Sequence, residues 1–328
     1  MLFALNDETN KFGEGYKAYS VCMNDTRQKN GIRGVLKHGE SMANHTSWRT
    51  GGQANEYFEP EDIQDLCNYL SSLSRDREIL WVGLGSNLLV RDGGFNGSVI
   101  NCNRALNHIE MQTEGNLYVE AGVPCAKFAR FSARQGYTGA EFLSGIPGTM
   151  GGALAMNAGA FGSETWNIVS RVRTVNRAGE LRERSPDEFE ITYRSVKSPD
   201  EEWFVAADIK LERDREDKAE SMIRMFLDKR SDTQPVGVPS CGSVFRNPPD
   251  DFAARLIEQS GLKGKKTGGA YISEKHANFI INSGTATSED IENLIRFIQK
   301  TVNDDHGIKL ETEVKIVGEK CRKKESDR

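Results

Sequence analysis

The sequence predicts a mixed α+β fold built from two or three domains. Segments with helical spacing alternate with segments of strand texture along 328 residues, without the regular strand–helix–strand rhythm of a doubly wound parallel sheet. Two glycine-bearing turns, at 83–88 and 145–159, lie in the first half, and one long amphipathic helix, at 288–303, lies near the end. At roughly 100–200 residues per domain the length suits two or three domains.

Residues 1–35 are polar and weakly patterned, and the first 40 read as an extension ahead of the folded body. Ile63, Leu66, Cys67, Leu70 and Leu73 recur at helical spacing, with Pro60 near the first turn. The apolar run Ile79-Leu80-Trp81-Val82 reads as a strand ending in the turn Gly83-Leu84-Gly85-Ser86-Asn87-Leu88. A second strand is expected at 117–120, then a helix at 124–134 stopped by Gly136. Residues 169–211 have strand texture, with Asn176-Arg177-Ala178-Gly179 as a hairpin turn. Helical texture returns at 215–230 on a face of Met222, Ile223, Met225 and Phe226, which places a domain boundary near 213. In the helix at 288–303 the stripe is Ile291, Leu294, Ile295, Ile298 and Val302, capped by Thr287 and followed by Gly307. A last strand is expected at 308–317, and 319–328 form a charged tail.

The net charge of −5 argues against a general nucleic-acid binder, so an anionic ligand would need a local basic pocket. No stretch reaches the ~18 apolar residues of a membrane span, and the first residues lack the pattern of a signal peptide. A cytoplasmic protein without a membrane partner is expected. The six cysteines, Cys22, Cys67, Cys102, Cys125, Cys241 and Cys321, are scattered with no C-x-x-C pair, and the five histidines are isolated. Neither a disulfide framework nor a metal site is expected.

The segment Gly145-Ile146-Pro147-Gly148-Thr149-Met150-Gly151-Gly152-Ala153 continues to Asn157-Ala158-Gly159, five glycines in fifteen residues with almost no charge. Glycine lets backbone N–H groups approach a ligand with no Cβ in the way, which suits an anion such as a pyrophosphate; a tight packed turn is the plainer reading. Gly83-x-Gly85 follows a strand, but Leu88 stands where a dinucleotide fingerprint has its third glycine. Gly264-Lys265-Lys266 lacks the earlier glycine of a P-loop, since Gln259 stands there. Two turns 62 residues apart could still hold one pyrophosphate from both sides. Taken singly, Ser243 is a turn serine, Arg194 a surface charge, Glu313 part of a solvated strand face, and His276 a hydrogen-bonded histidine at the core edge.

Read together and in order, these motifs resemble the UDP-N-acetylenolpyruvoylglucosamine reductase family. The resemblance covers about 44–318. Its carriers are His45-Thr46-Ser47-Trp48-Arg49-Thr50-Gly51-Gly52, the turn from Gly83 to Val90, 141–162, Tyr193-Arg194, 239–248, 268–282 and Leu310-Glu311-Thr312-Glu313-Val314. Arg194 and Ser243 are 49 residues apart, like the family's shorter variant that lacks an inserted tyrosine-bearing loop. Phe161 stands where tyrosine is commoner, and Val196 where serine is usual.

The resemblance implies an α+β flavoprotein of the vanillyl-alcohol-oxidase type. Two FAD-binding subdomains, at 41–105 and 106–213, would precede a substrate-binding domain at 214–318. It implies non-covalent FAD held by Gly83, Leu84, Gly85, Ser86, Asn87, Leu88, Gly145, Gly148, Thr149, Gly151, Gly152, Ala153, Asn157 and Ala158. It implies NADPH as hydride source and reduction of the enolpyruvyl group of a UDP-sugar to UDP-N-acetylmuramate, for peptidoglycan synthesis. Arg194 would stabilise charge developing toward the substrate carboxylate, Ser243 would donate a proton, and Glu313 would organise the carboxylate and the proton path. Tyr193, Arg246 and Asn247 would contact substrate. Another FAD oxidoreductase of the same superfamily, or a flavin- or nucleotide-binding protein without catalysis, are the competing readings. The joint presence of Arg194, Ser243 and Glu313 favours the reductase.

Overall fold

A computed structural model describes residues 32–321. Most of the expected N-terminal extension, through residue 31, and the end of the charged tail, from residue 322, lie outside the described residues. Residues 35–40, expected in that extension, instead belong to the strand Val35–Ser41, which pairs antiparallel with Gln53–Glu59. Polar side chains hid it, because an edge strand exposed along most of its length needs no apolar run.

The first sheet runs in the order Val35–Ser41, Gln53–Glu59, Phe95–Ile100, Ile79–Trp81, parallel after the first pair. Helix α1, Ile63–Ser72, makes the crossover and buries Leu66, Cys67, Tyr69 and Leu70. Its cap is Asp62, whose side chain accepts from Asp65 N; Pro60 lies ahead of the helix. The second sheet is five-stranded and antiparallel, in the order Leu181–Arg184, Val169–Asn176, Glu202–Lys210, Asn116–Glu120, Ile109–Thr113. Helix α2, Cys125–Arg134, packs its Phe128 and Ala129 into the same core as Leu117, Val172 and Ala207.

The second glycine segment holds a helix that its composition concealed. Helix α3, Met150–Met156, begins at Thr149, whose hydroxyl accepts from Gly152 N, and ends on Asn157 in the left-handed conformation. Gly151 is required for packing: a Cβ there would lie 2.9 Å from that of Ala121. Helix α4, Ala219–Thr233, follows the second sheet.

The C-terminal part packs α5, Ala253–Gln259, and α6, Ser288–His306, on a sheet of Lys266–Thr267, Ala270–Ile272 and Ile280–Asn282. The whole expected stripe of α6 is buried, and Thr287 forms a capping box with Asp290. The expected strand at 308–317 is mostly absent. Only Lys315–Val317 forms a ladder, parallel to Leu88–Val90. Residues ahead of it are pinned to the 244–246 turn instead: Arg246 N donates to Glu311 O, and Glu313 N donates to Val244 O. Alternating polarity mimicked a full strand: Lys309, Glu311 and Lys315 are exposed and Leu310 and Val314 buried, but the backbone ahead of Lys315 bonds to the turn rather than to a strand.

The N-terminal half is bolted to this C-terminal part. Trp48, fully buried, donates its indole N–H to Ile280 O at 2.7 Å, and Asn282 donates back to Trp48 O. Asp92 caps α6 from outside by accepting from Ser288 N and Glu289 N, and Arg91 pairs with Glu292 at 2.9 Å. Trp48→Ala would leave a large hole in the C-terminal core and strand Ile280 O. It is expected to cost about 3–5 kcal/mol of stability, read as a lowered midpoint in denaturant.

Candidate active site

The two glycine turns meet face to face. The first leaves the strand Ile79–Trp81 and is fastened by Asn101 and Asn103, whose side chains donate to Gly83 O. A Cβ on Gly85 would lie 2.0 Å from His45 O, and one on Gly83 would lie 2.6 Å from Thr149 Oγ1. A side chain at Gly83 would push the two turns apart, and one at Gly85 would push the first turn off the backbone at His45 and Thr46. Gly145 is glycine because the Phe161 ring occupies the space a Cβ would need, at 2.7 Å. Phe161, held at a positive φ, stacks on Phe226 of α4 at 4.2 Å and so ties α4 to the second turn. At Gly148 and Gly152 a Cβ would meet nothing closer than 3.6 Å, so the main chain there is bare toward the space between the turns.

That space is a cavity of 460 Å³. Gly83, Leu84, Gly85, Ser86, Asn87, Leu88, Gly145, Gly148, Thr149, Gly152, Ala153 and Ala158 line it, as do Arg194, Ser243 and Glu313. Its size lies within the ~300–1,000 Å³ common for ligand sites.

Arg194 sits in the two-residue turn between Glu190–Thr192 and Ser195–Lys197, with φ of 56°. One guanidinium nitrogen donates to Gly159 O at 2.8 Å, another to Asn157 O at 3.4 Å. Its Nε lies 3.3 Å from Glu313 Oε1 as an ion pair. Neither Arg194 Nε nor Arg246 Nε, both buried, has a hydrogen-bond partner. Arg246 reaches back to Arg194 O at 3.2 Å. Burial pushes the Glu313 carboxyl above its usual range, against the pull of the Arg194 and Arg246 charges. The Ser243 turn is set by Asn278, which pairs with both the N–H and the C=O of Phe245. Among the described residues no group hydrogen-bonds the Ser243 hydroxyl. Cys241 beside it is buried against Gly85 O and Leu88 O, and its thiol is pushed up to about 12 by burial, which keeps it protonated.

Five of the expected site residues stand off the cavity wall. Gly151 packs on Ala121. Asn157 bonds Glu164, Thr192 O and Trp166 N, buttressing the Arg194 hairpin. Tyr193 is 47% exposed and lies under the Arg194 guanidinium at 5.3 Å. Arg246 acts on Glu313 through its charge, and Asn247 accepts from Ala253 N at the start of α5. His276 accepts from Asn278 N at 3.3 Å and packs edge-on to Phe279.

Comparison with known proteins shows the family. Residues 234–317 match the family model described as UDP-N-acetylenolpyruvoylglucosamine reductase, C-terminal domain, and 54–185 match one described as FAD binding domain. The UDP-N-acetylenolpyruvoylglucosamine reductase of Methylococcus capsulatus is 54% identical over 287 residues, 88% of this chain and 94% of the relative. The chain belongs to the UDP-N-acetylenolpyruvoylglucosamine reductase family. Another member, from Legionella pneumophila strain Corby, is 49% identical over 301 residues, covering 92% of this chain and 98% of the relative. The crystal structure of the UDP-N-acetylenolpyruvylglucosamine reductase from Thermus caldophilus superposes with a TM-score of 0.75 at 29% identity, covering 87% of this chain and 98% of that one.

The cavity suits the FAD that an FAD binding domain holds. Bare main chain at Gly148 and Gly152 faces it, and two cations line it that sequence reasoning passed over. Arg230, on α4, bonds Gln234 rather than an acid, and burial lowers its pKa. Lys315 opens the last strand. Neither carried a sequence signal, because a lone cation on a surface-like helix or strand is ordinary. Among the described residues no group of three or more His, Cys, Asp or Glu could hold a metal, and no helix is long and apolar enough to cross a membrane.

Proposed function

We propose that Arg194, Ser243 and Glu313 carry the reaction and that NADPH is the hydride source. The protein is an FAD enzyme that reduces the enolpyruvyl group of UDP-N-acetylglucosamine enolpyruvate to UDP-N-acetylmuramate in peptidoglycan precursor synthesis. The observation that supports the residue roles is the cavity wall that presents Arg194, Glu313 and Ser243 together, with Arg194 Nε 3.3 Å from the Glu313 carboxylate and the Arg246 charge acting on the same carboxyl. The bound flavin supplies the hydride chemistry. Arg194 and Arg246 orient the substrate carboxylate and stabilise the negative charge that grows toward it. Ser243 delivers the proton; a serine is a weak acid, so it acts only on a strongly basic carbon beside it. Glu313 holds Arg194 in place and relays a proton. Gly83–Leu88 and Gly145–Ala158 would hold the cofactor, with Arg230 and Lys315 facing its anionic part or the nucleotide diphosphate. The division into subdomains at 41–105 and 106–213, a substrate domain at 214–318 and a cytoplasmic location without nucleic-acid or membrane partners belong to the same proposal.

The test is anaerobic flavin absorbance. NADPH should bleach the band near 450 nm, and the enolpyruvyl substrate should restore it. A flavin that stays bleached after substrate is added would remove the proposed substrate from this site.

Glu313 also makes a pH prediction. Its raised folded-state pKa means the fold holds the proton better than the unfolded chain does. Its stabilising contribution is therefore complete below the ordinary value of 4.5 and is lost as pH rises through the higher folded value. Glu313→Gln is expected to melt no lower than the parent at neutral pH, with its relative advantage shrinking toward acid, while kcat falls by about 10²-fold. A clearly lower melting temperature at neutral pH would mean that the arginine pairing outweighs burial.

A further inference from the structure

We propose that Trp81 and Trp203 form an aromatic seat for the adenine ring of the bound FAD. Their rings stack at 5.6 Å between centroids with 15° between planes, and both line the cavity of the glycine turns. One ring comes from each sheet: Trp81 ends the strand Ile79–Trp81, and Trp203 stands near the start of Glu202–Lys210.

The order of chemistry along the chain sets the direction. Trp81 enters the first glycine turn from the strand side. The turn leaves toward the reacting groups: Cys241 touches Gly85 O and Leu88 O, and Asn87 donates to Glu313 O. Trp81 thus stands two residues ahead of the first glycine turn, while Ser243 lies two residues past the cysteine that touches the later part of that turn. FAD has the same order, with its ring system at one end, pyrophosphate in the middle and adenine at the other. A flavin placed at Ser243, with pyrophosphate at the glycine turns, directs adenine to the tryptophans. Stacking of a base on an aromatic side chain needs this kind of flat apolar surface. The indole N–H of Trp81 is buried without a partner, whereas a buried indole N–H ordinarily finds an acceptor. A purine edge carries such acceptors, and a small ring shift on binding would bring one to it.

This rests on the FAD reading above, and the experiment separates the two. FAD and FMN, which lacks the adenylate half, are titrated into reversibly deflavinated full-length protein, followed by tryptophan emission and by flavin fluorescence. Wild type should prefer FAD, with its tryptophan emission quenched. Trp81→Leu and Trp203→Leu should each weaken FAD binding by about tenfold or more and leave FMN binding unchanged. Trp81→Phe, which keeps the ring and removes the N–H, should lose less. FAD affinity unchanged in both Leu variants, or equal losses for FAD and FMN, would overturn the seat and leave the tryptophans as packing. Should the Leu variants fold poorly, the wild type alone decides through ADP: competition with FAD accompanied by quenching supports the seat, and its absence overturns it. Failure of wild type to bind FAD at all would instead overturn the flavin reading.

Discussion

Ser243→Ala is expected to leave flavin reduction by NADPH close to the parent rate and to slow flavin reoxidation by the enolpyruvyl substrate by about 10²–10⁴-fold, the range for loss of a positioned proton donor. The structure makes this substitution clean. The hydroxyl has no hydrogen-bond partner among the described residues, and the turn around it is held by Asn278 and by the backbone at 311–313. Removing one oxygen should leave the melting temperature unchanged. Stopped-flow absorbance resolves the two half-reactions. Equal slowing of both would show that Ser243 serves flavin placement rather than proton delivery.

Arg194→Lys is expected to lower kcat by about 10²–10³-fold, comparable to removing one preorganised donor from developing negative charge. The guanidinium donates to Gly159 O and Asn157 O, and its Nε pairs with Glu313 at 3.3 Å. A lysine brings one flexible ammonium and cannot hold several directions at once. The backbone adds no new strain, because lysine replaces another non-glycine residue at the same positive φ. Steady-state kinetics with the enolpyruvyl substrate check the result, with NADPH-dependent flavin reduction as the internal control. Turnover near the parent level would show that charge alone suffices and that Arg246 shares the role.

Features written in local chemistry were legible in the sequence. Helix α6 was readable because its apolar stripe, its Thr287 cap and the stop at Gly307 lie within one stretch of chain. Helix α1 was readable in the same way, although Asp62 rather than Pro60 starts it. Helix α3 was not, since glycines chosen for contact with Ala121 look like loop residues when that contact is unseen. The expected strand at 308–317 failed for a related reason: alternation reports which residues differ in polarity, not which neighbours await them.

For the candidate site, resemblance across the motifs pointed to the glycine turns and to Arg194, Ser243 and Glu313, while Arg230, Lys315, Trp81 and Trp203 gave no local sign. By itself the sequence determined the mixed α+β class, the two glycine-bearing turns, the caps and stripes of its longer helices, and the family. Only the tertiary structure decided which glycines face the cavity and which pack. It also decided that Trp48 locks onto Ile280 across a separation of 232 residues, and that Glu313 is buried between two arginines rather than solvated. The reason is physical. A cap or an apolar stripe is settled within a few turns of chain, whereas a Cβ clash, a cavity wall, a raised carboxyl pKa and a stacked ring pair exist only once distant segments come together.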